Sequence, residues 1–192
     1  MSITINGNGT VTGISAGGLP AGCITSATLA SGVGGKVLQI QTVTKTNQFN
    51  ETLAAGAISS SDISGLQVTI TPSSSSNKIL LTCSLTMSSY DNGFLFYKNG
   101  SVISGATGDA DGTKKRIFAE QYLGSGYTMF GNTFQYVDTA GGTSAITYGI
   151  RVMNTTTSSR IHYVNVNHQG RSAVNAYDLV GASTFTAMEV AA

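Results

Sequence analysis

The sequence predicts an all-β protein, an antiparallel β-sandwich or jelly roll preceded by an extended Gly/Ser/Thr-rich N-terminal arm, and three observations carry that expectation. Only 10% of the 192 residues are charged, against about a quarter in ordinary soluble domains. Ser, Thr, Asn and 24 Gly take the place of charge; these residues suit strand faces and turns and disfavour helices, because Ser, Thr and Asn compete for backbone hydrogen bonds and Gly costs entropy. From residue 36 onward the chain is a succession of strand-sized apolar runs bounded by Gly, Asn, Ser or Asp, the spacing of a sandwich or jelly roll. No segment sustains a 3.6-residue apolar period.

The first element is the arm, residues 1–35, a stretch without charge and without apolar period that cannot bury a core alone. Two Asn-Gly pairs, Asn6-Gly7 and Asn8-Gly9, lie between Ile3, Ile5 and Val11 and predict a small strand-turn-strand whose partners are other chains. Residues 36–192 are long enough for one domain with a real core.

That domain opens with residues 36–46 (KVLQIQTVTKT), which alternate Val37, Gln39, Gln41 and Val43 against Leu38, Ile40 and Thr42. In residues 66–71 (LQVTIT), Leu66, Val68 and Ile70 face one side. Pro72 ends that strand because it cannot donate to a ladder, and residues 73–77 (SSSSN) form a loop. Residues 78–87 (KILLTCSLTM) and 93–98 (GFLFYK) read as interior strands. Asn99-Gly100 then accepts the positive φ values of a type I′ turn, giving a tight hairpin into residues 101–104. Further strands are expected at 116–122, 127–137, 144–154, 160–167 and 183–190, about nine in all and enough for two packed sheets. Residues 51–63 hold a helical turn at most.

Composition also narrows function. A formal charge of +1, with ten basic and nine acidic residues scattered along the chain, gives no field to hold nucleic acid or an anionic membrane. The basic run Lys114-Lys115-Arg116 follows Asp109 and Asp111 in a Gly-containing stretch and reads as a solvated loop. No stretch approaches the roughly 20 apolar residues of a membrane span, and the N-terminus lacks the regions of a signal peptide, so the chain is expected to remain in a cytoplasm until assembly or release. Cys23 and Cys83 lie in different surroundings, so no disulfide is expected. Cys83 alternates with Leu81 and Leu85 and reads as a small buried hydrophobe.

Chemistry is sparse. There is no Gly-x-Ser-x-Gly elbow, no phosphate loop and no His-Glu-x-x-His. His162 and His168 fall on the same side of one strand but roughly 20 Å apart, too far for one metal, and they read as polar surface histidines. Asp109 and Asp111 sit in a Gly-rich loop whose spacing gives no support to glycan hydrolysis. No catalytic, cofactor-binding or metal-binding residue is assigned, and the chain is expected not to be an enzyme. The aromatics Phe94, Phe96, Tyr97, Phe118, Tyr122, Tyr127, Phe130, Phe134 and Tyr136 read as core and strand-edge packing, with a sugar-stacking platform as the alternative; Trp, the strongest stacking residue, is absent.

Five segments together, ITINGNGTVTGISAGGLPAGCITSATLASGVGGKVLQI, VTITPSSSSNKILLTCSL, FLFYKNGSVI, AITYGIRV and STFTAMEV, resemble small structural proteins of tailed phages, many of them marine and cyanobacterial. The resemblance covers almost the entire chain. It implies a lone sandwich similar to the tumour-necrosis-factor and complement-C1q jelly roll, assembled as a homotrimer. It also implies attachment to other virion proteins, of capsid or tail, through residues 1–35, as a head fibre, capsid decoration or short tail-fibre knob. No active-site residues come with it, and the absence of a long repetitive shaft fits a knob. On this reading Leu38, Ile40, Leu80, Leu81, Leu85, Phe94, Phe96, Ile146, Ile150, Val152 and Phe185 supply core or subunit contacts. A host-receptor adhesin is the alternative, with loops at 88–93, 105–115 or 168–177 binding surface glycans or proteins; a glycan depolymerase would need two carboxylates converging in a groove.

Overall fold

The computed structural model describes residues 4–5, 11–12, 36–88, 91–122, 128–167 and 179–192. The chain divides into two compact units, Met1–Lys36 and Val37–Ala192. In the first, β1 (Thr4–Ile5) and β2 (Val11–Thr12) pair antiparallel, with Thr4 opposite Thr12 and Ile5 opposite Val11, which are the two strands expected there; the expected Asn-Gly turn lies outside the described residues. The other expectations for the arm, with Cys23, His168, Tyr127 and the 168–177 loop, lie outside the described residues.

The second unit contains β3 (Val37–Lys45), β4 (Phe49–Leu53), β5 (Val68–Ile70), β6 (Lys78–Ser88), β7 (Asp91–Lys98), β8 (Ser101–Val102), β9 (Ala119–Tyr122), β10 (Phe130–Thr139), β11 (Ile146–Asn154), β12 (Arg160–Val164) and β13 (Ser183–Val190). One sheet runs β3-β13-β6-β10, with β12 pairing the last residues of β6 on the side of β13 and β4 pairing β12; the other runs β5-β11-β7, with β8 and β9 sharing the last edge. Counting the principal strands in order, with β8 and β9 together as the fifth, the sheets read first-eighth-third-sixth and second-seventh-fourth-fifth. This is the order of a jelly roll, in which hairpin-connected antiparallel strands fold over into two facing sheets.

The core follows from strand alternation. Ile79, Leu81, Cys83, Leu85 and Met87 of β6, Phe134 of β10 and Phe185 and Ala187 of β13 meet Ile70 of β5, Phe94 and Phe96 of β7 and Ile146, Tyr148, Ile150 and Val152 of β11. Phe94 packs against Phe134 with ring centroids 4.6 Å apart, and Phe96 against Phe118 at 4.9 Å. At one end Tyr148 reaches across the sandwich to donate its hydroxyl to Asp138, which also takes the Lys98 ammonium at 2.7 Å.

Several elements depart from the sequence reading. β4 is a strand where at most a helical turn was expected: Phe49, Glu51 and Leu53 alternate, and pairing with β12 supplies the backbone partners that FNETL cannot find locally. β5 begins at Val68 because Leu66 is held in a turn by its N–H to the Ile63 carbonyl. The hairpin has the expected turn, with φ 49° at Asn99 and 77° at Gly100, but β8 is only two residues long. β12 stops at Val164 because Asn165 takes φ 61°. Residues 91–93 belong to β7 rather than to a loop.

The two sheets differ on their outer sides. Leu95, Tyr97 and Met153, which point away from the core, are buried with Ile117 packed on them, and residues 58–63 lie along β11 through hydrogen bonds from Ser59 to Val152 and from Ile63 to Ile150. The second sheet is thus covered. The first is bare.

Candidate functional site

The bare face is the candidate interaction surface, and strand register builds it row by row. Ile40, Met188, Leu80 and Val137 stand opposite one another across β3, β13, β6 and β10. The next row is Thr42, Thr186, Thr82 and Gln135, and the one after is Thr44, Thr184, Ser84 and Thr133. Hydroxyls pair along these rows: Thr42 with Thr186 at 2.9 Å, Gln135 donating to Thr82 and Thr133 to Ser84, both at 3.3 Å. Val37 and Leu38 join the apolar row where β3 and β13 slip register beside Val190.

No side chain in these rows is charged. Lys78, at the lower rim, donates to Thr139. Ile40 is 54% exposed and Val137 53%, so the apolar row faces solvent at both edges of the sheet. Of the apolar residues expected to serve core or subunit contacts, Leu38, Ile40 and Leu80 lie on this outer face, and Leu81, Leu85, Phe94, Phe96, Ile146, Ile150, Val152 and Phe185 lie in the core. The sequence could not divide them, because an outward Leu and an inward Leu look alike until the register is known.

A buried carboxylate anchors the lower end of this sheet. Glu189 faces inward from β13 and receives hydrogen bonds from Ser73 N–H, Ser73 Oγ, Asn77 Nδ2 and Gln39 Nε2 at 2.6–2.8 Å. Burial pushes its pKa up, but these donors outweigh burial and bring it down to about 2. They also fix the Ser-rich loop of residues 73–77 against the strand ends. The notable glutamate at the end of STFTAMEV is therefore a structural staple.

On the covered sheet, Gly56, Lys115, Ile117, Glu120, Met153 and Thr155 line a cleft of about 250 Å³. One ammonium and one carboxylate border an apolar floor, with no aromatic ring to stack a sugar. The basic run is solvent-exposed as expected: Lys114 pairs with Asp111, and Arg116 donates to the Gly108 carbonyl at 2.5 Å. Asp109 and Asp111 are exposed in that loop and do not converge in a groove. Cys83 is fully buried, and burial pushes its thiol pKa far up, as suits a core residue.

His162 corrects the expectation of a surface histidine. It faces inward from β12, only 1% exposed, because β12 is a short inner strand of the first sheet rather than a rim strand. Among the described residues no three His, Cys, Asp or Glu side chains gather as metal ligands.

No family model and no curated protein matches the sequence. Among solved structures, a chain from the structure of infectious bursal disease virus, Gx strain, aligns with 80% of this chain at 15% identity and a TM-score of 0.34. The match takes in 37% of that chain, so this protein spans a little over a third of its length.

Proposed function

We propose that this chain is a homo-oligomeric structural protein of a phage virion, a trimeric knob joined to capsid or tail by residues 1–35. The observation that carries the reading is the bare outer face of the β3-β13-β6-β10 sheet. Four strands and about four side-chain rows present roughly 500 Å² per copy, and in a threefold ring each face with the different patch it meets on the next copy buries about 1,000 Å², the lower bound of a specific interface. A face without charge offers a foreign partner little electrostatic recognition. To a second copy it offers an apolar row and rows of hydroxyls that can pair again. The virion assignment rests on the sequence resemblance, and a cofactor-free jelly roll suits a particle that must persist outside cells.

The test is the mass of the full-length protein by light scattering beside that of T82K, whose ammonium would enter the middle of the face. Three chains are expected for the native protein, and a monomer with an unchanged unfolding temperature for T82K. A monomeric native protein overturns the oligomer, and a T82K trimer removes this face as its interface. Deleting residues 1–30 is expected to leave a folded oligomer that no longer joins particles; undiminished incorporation removes the role of the arm. Labelling on particles by electron microscopy then separates head from tail. An adhesin is the second reading, since the cleft beside Lys115 adjoins the exposed 107–116 loop; it predicts protein at the tail tip and binding to host cells that T155K abolishes.

A further inference from the structure

At the end of the sandwich away from Glu189, the inward-facing side chains change from apolar to polar. Asn92 lies one inward step above Phe94 on β7, and Gln121 stands beside it in the β7–β9 register. Asn132 lies one inward step above Phe134 on β10, the strand whose Phe134 ring meets those of Phe94 and Phe118. His162 closes the layer from β12, its Nδ1 2.5 Å from Asn92 Oδ1. His162 and Asn92 are 1% and 0% exposed. Four buried atoms in this layer have no protein partner: Asn92 Nδ2, Gln121 Oε1, Asn132 Nδ2 and His162 Nε2.

Their chemistry is complementary. The Asn92 amide oxygen can only accept, so His162 Nδ1 carries the hydrogen and Nε2 bears the lone pair. The remaining groups on β7, β9 and β10 are two N–H donors and one carbonyl acceptor. A water molecule can accept from both amides and donate to Gln121, which is within the two to four partners that internal water requires. We propose that water held between Asn92, Gln121 and Asn132 completes this layer, and that the layer keeps His162 as its neutral Nδ1–H form, so that a proton added at Nε2 opens this end of the sandwich and not the other.

A proton at Nε2 places a charge where the interior offers no acceptor. Burial already holds the His162 pKa down to about 4. The charged groups around it give little relief. Glu51 is opposite on β4 and accepts from Ser59, and burial alone accounts for the direction of the His162 shift. Asp91 and Glu120 occupy the other phase of β7 and β9, and Arg151 of β11 is paired with Asp62 on the outer side. The charged residues of β6, β10 and β13, which are Lys78, Asp138 and Glu189, lie toward the far end of their strands.

Histidine-ring NMR on the full-length protein tests this. The Nδ1–H form is expected at pH 7, with protonation only below about pH 5 and a magnetisation transfer from a long-lived water to the Asn92 and Asn132 amides. As the ring protonates, amide protection at Asn92 and Tyr163 is expected to fall at least tenfold while that at Leu81 and Ile150 holds, and H162Q should lack this acid response. An Nε2–H form at neutral pH, no water transfer, titration near the ordinary value without loss of protection, or the same response in H162Q overturns the proposal. The ring form and the water contact are read on the unaltered chain, so they decide even if H162Q does not fold.

Discussion

Removing the Glu189 charge should cost this domain its main acid-sensitive staple. The folded-state pKa of Glu189 is about 2, against 4.5 for the free group. A carboxyl depressed by about 2.5 units contributes on the order of 3 kcal/mol. The sign follows from which state binds the proton: the unfolded chain takes it up first, near pH 4.5, so the contribution is complete above that pH and is lost as pH falls toward 2. E189Q cannot supply it at any pH, and its amide would set N–H either against the Asn77 and Ser73 donors or against that of Gln39. Urea unfolding at fixed protein concentration, at pH 7, 5, 4, 3 and 2, should therefore show E189Q less stable by about 3 kcal/mol or more at pH 7, the gap closing progressively below pH 4.5. A gap that stays constant from pH 7 to 2 would refute the linkage. Loss from His162 protonation falls in a different window, between its ordinary value of 6.5 and about 4, and so cancels in the comparison.

Three other outcomes are expected. G149A should be among the most damaging small substitutions, because a methyl there overlaps the Asp62 carboxylate and displaces it from Arg151; breaking a largely buried pair costs about 3–5 kcal/mol, and a drop in unfolding free energy below 1 kcal/mol would contradict it. N165A removes side-chain hydrogen bonds to Lys45 and Asn47 carbonyls and from Ser183 and places Ala at φ 61°, for a loss of about 3 kcal/mol by thermal or urea unfolding; N165G, which keeps the backbone freedom, should recover a measurable part. Cys83 should react with a thiol reagent only as fast as the domain opens, so labelling in native buffer faster than the unfolding rate would place Cys83 outside the core.

Much of this fold was legible because the deciding signals were local. Alternation located β3 and β5, strand-sized apolar runs located β6, β7 and β13, Pro72 closed β5, and Asn99-Gly100 gave the hairpin its turn. β4 escaped because Phe49, Asn50 and Glu51 carry no β-forming run; its strand conformation comes from β12, about 110 residues away in sequence. The candidate face was half legible. Its residues all fall within expected strands, yet the division between core and outer face depends on the β3–β13–β6–β10 register, which no window of sequence contains. Asn92 and Asn132 could have been noticed as polar residues two positions before Phe94 and Phe134, on the phase that carries the aromatic core.

The low charge of the chain takes on a different meaning once the charges among the described residues are located. Lys45, Asp62, Lys98, Asp138, Arg151 and Glu189 are spent on interior or half-buried pairing: Lys45 with Asn47, Asp62 with Arg151, Lys98 with Asp138 and Glu189 with its four donors. Arg151 also lies 3.8 Å over the Tyr97 ring, so even this outer-side cation covers apolar surface. Asp109, Asp111, Lys114, Lys115, Arg116 and Glu120 are exposed on one loop and the strand that follows it, on the covered sheet, and Lys36, Lys78 and Arg160 are exposed at the starts of β3, β6 and β12. The β3-β13-β6-β10 face is left with hydroxyls and an apolar row, and its two long edges, β3 and β10, are unpaired among the described residues. A monomer with that face and those edges in water would be prone to edge-to-edge association, whereas closure around a symmetry axis removes both at once. Charge placement and sheet register, two independent features of the chain, thus converge on the same surface.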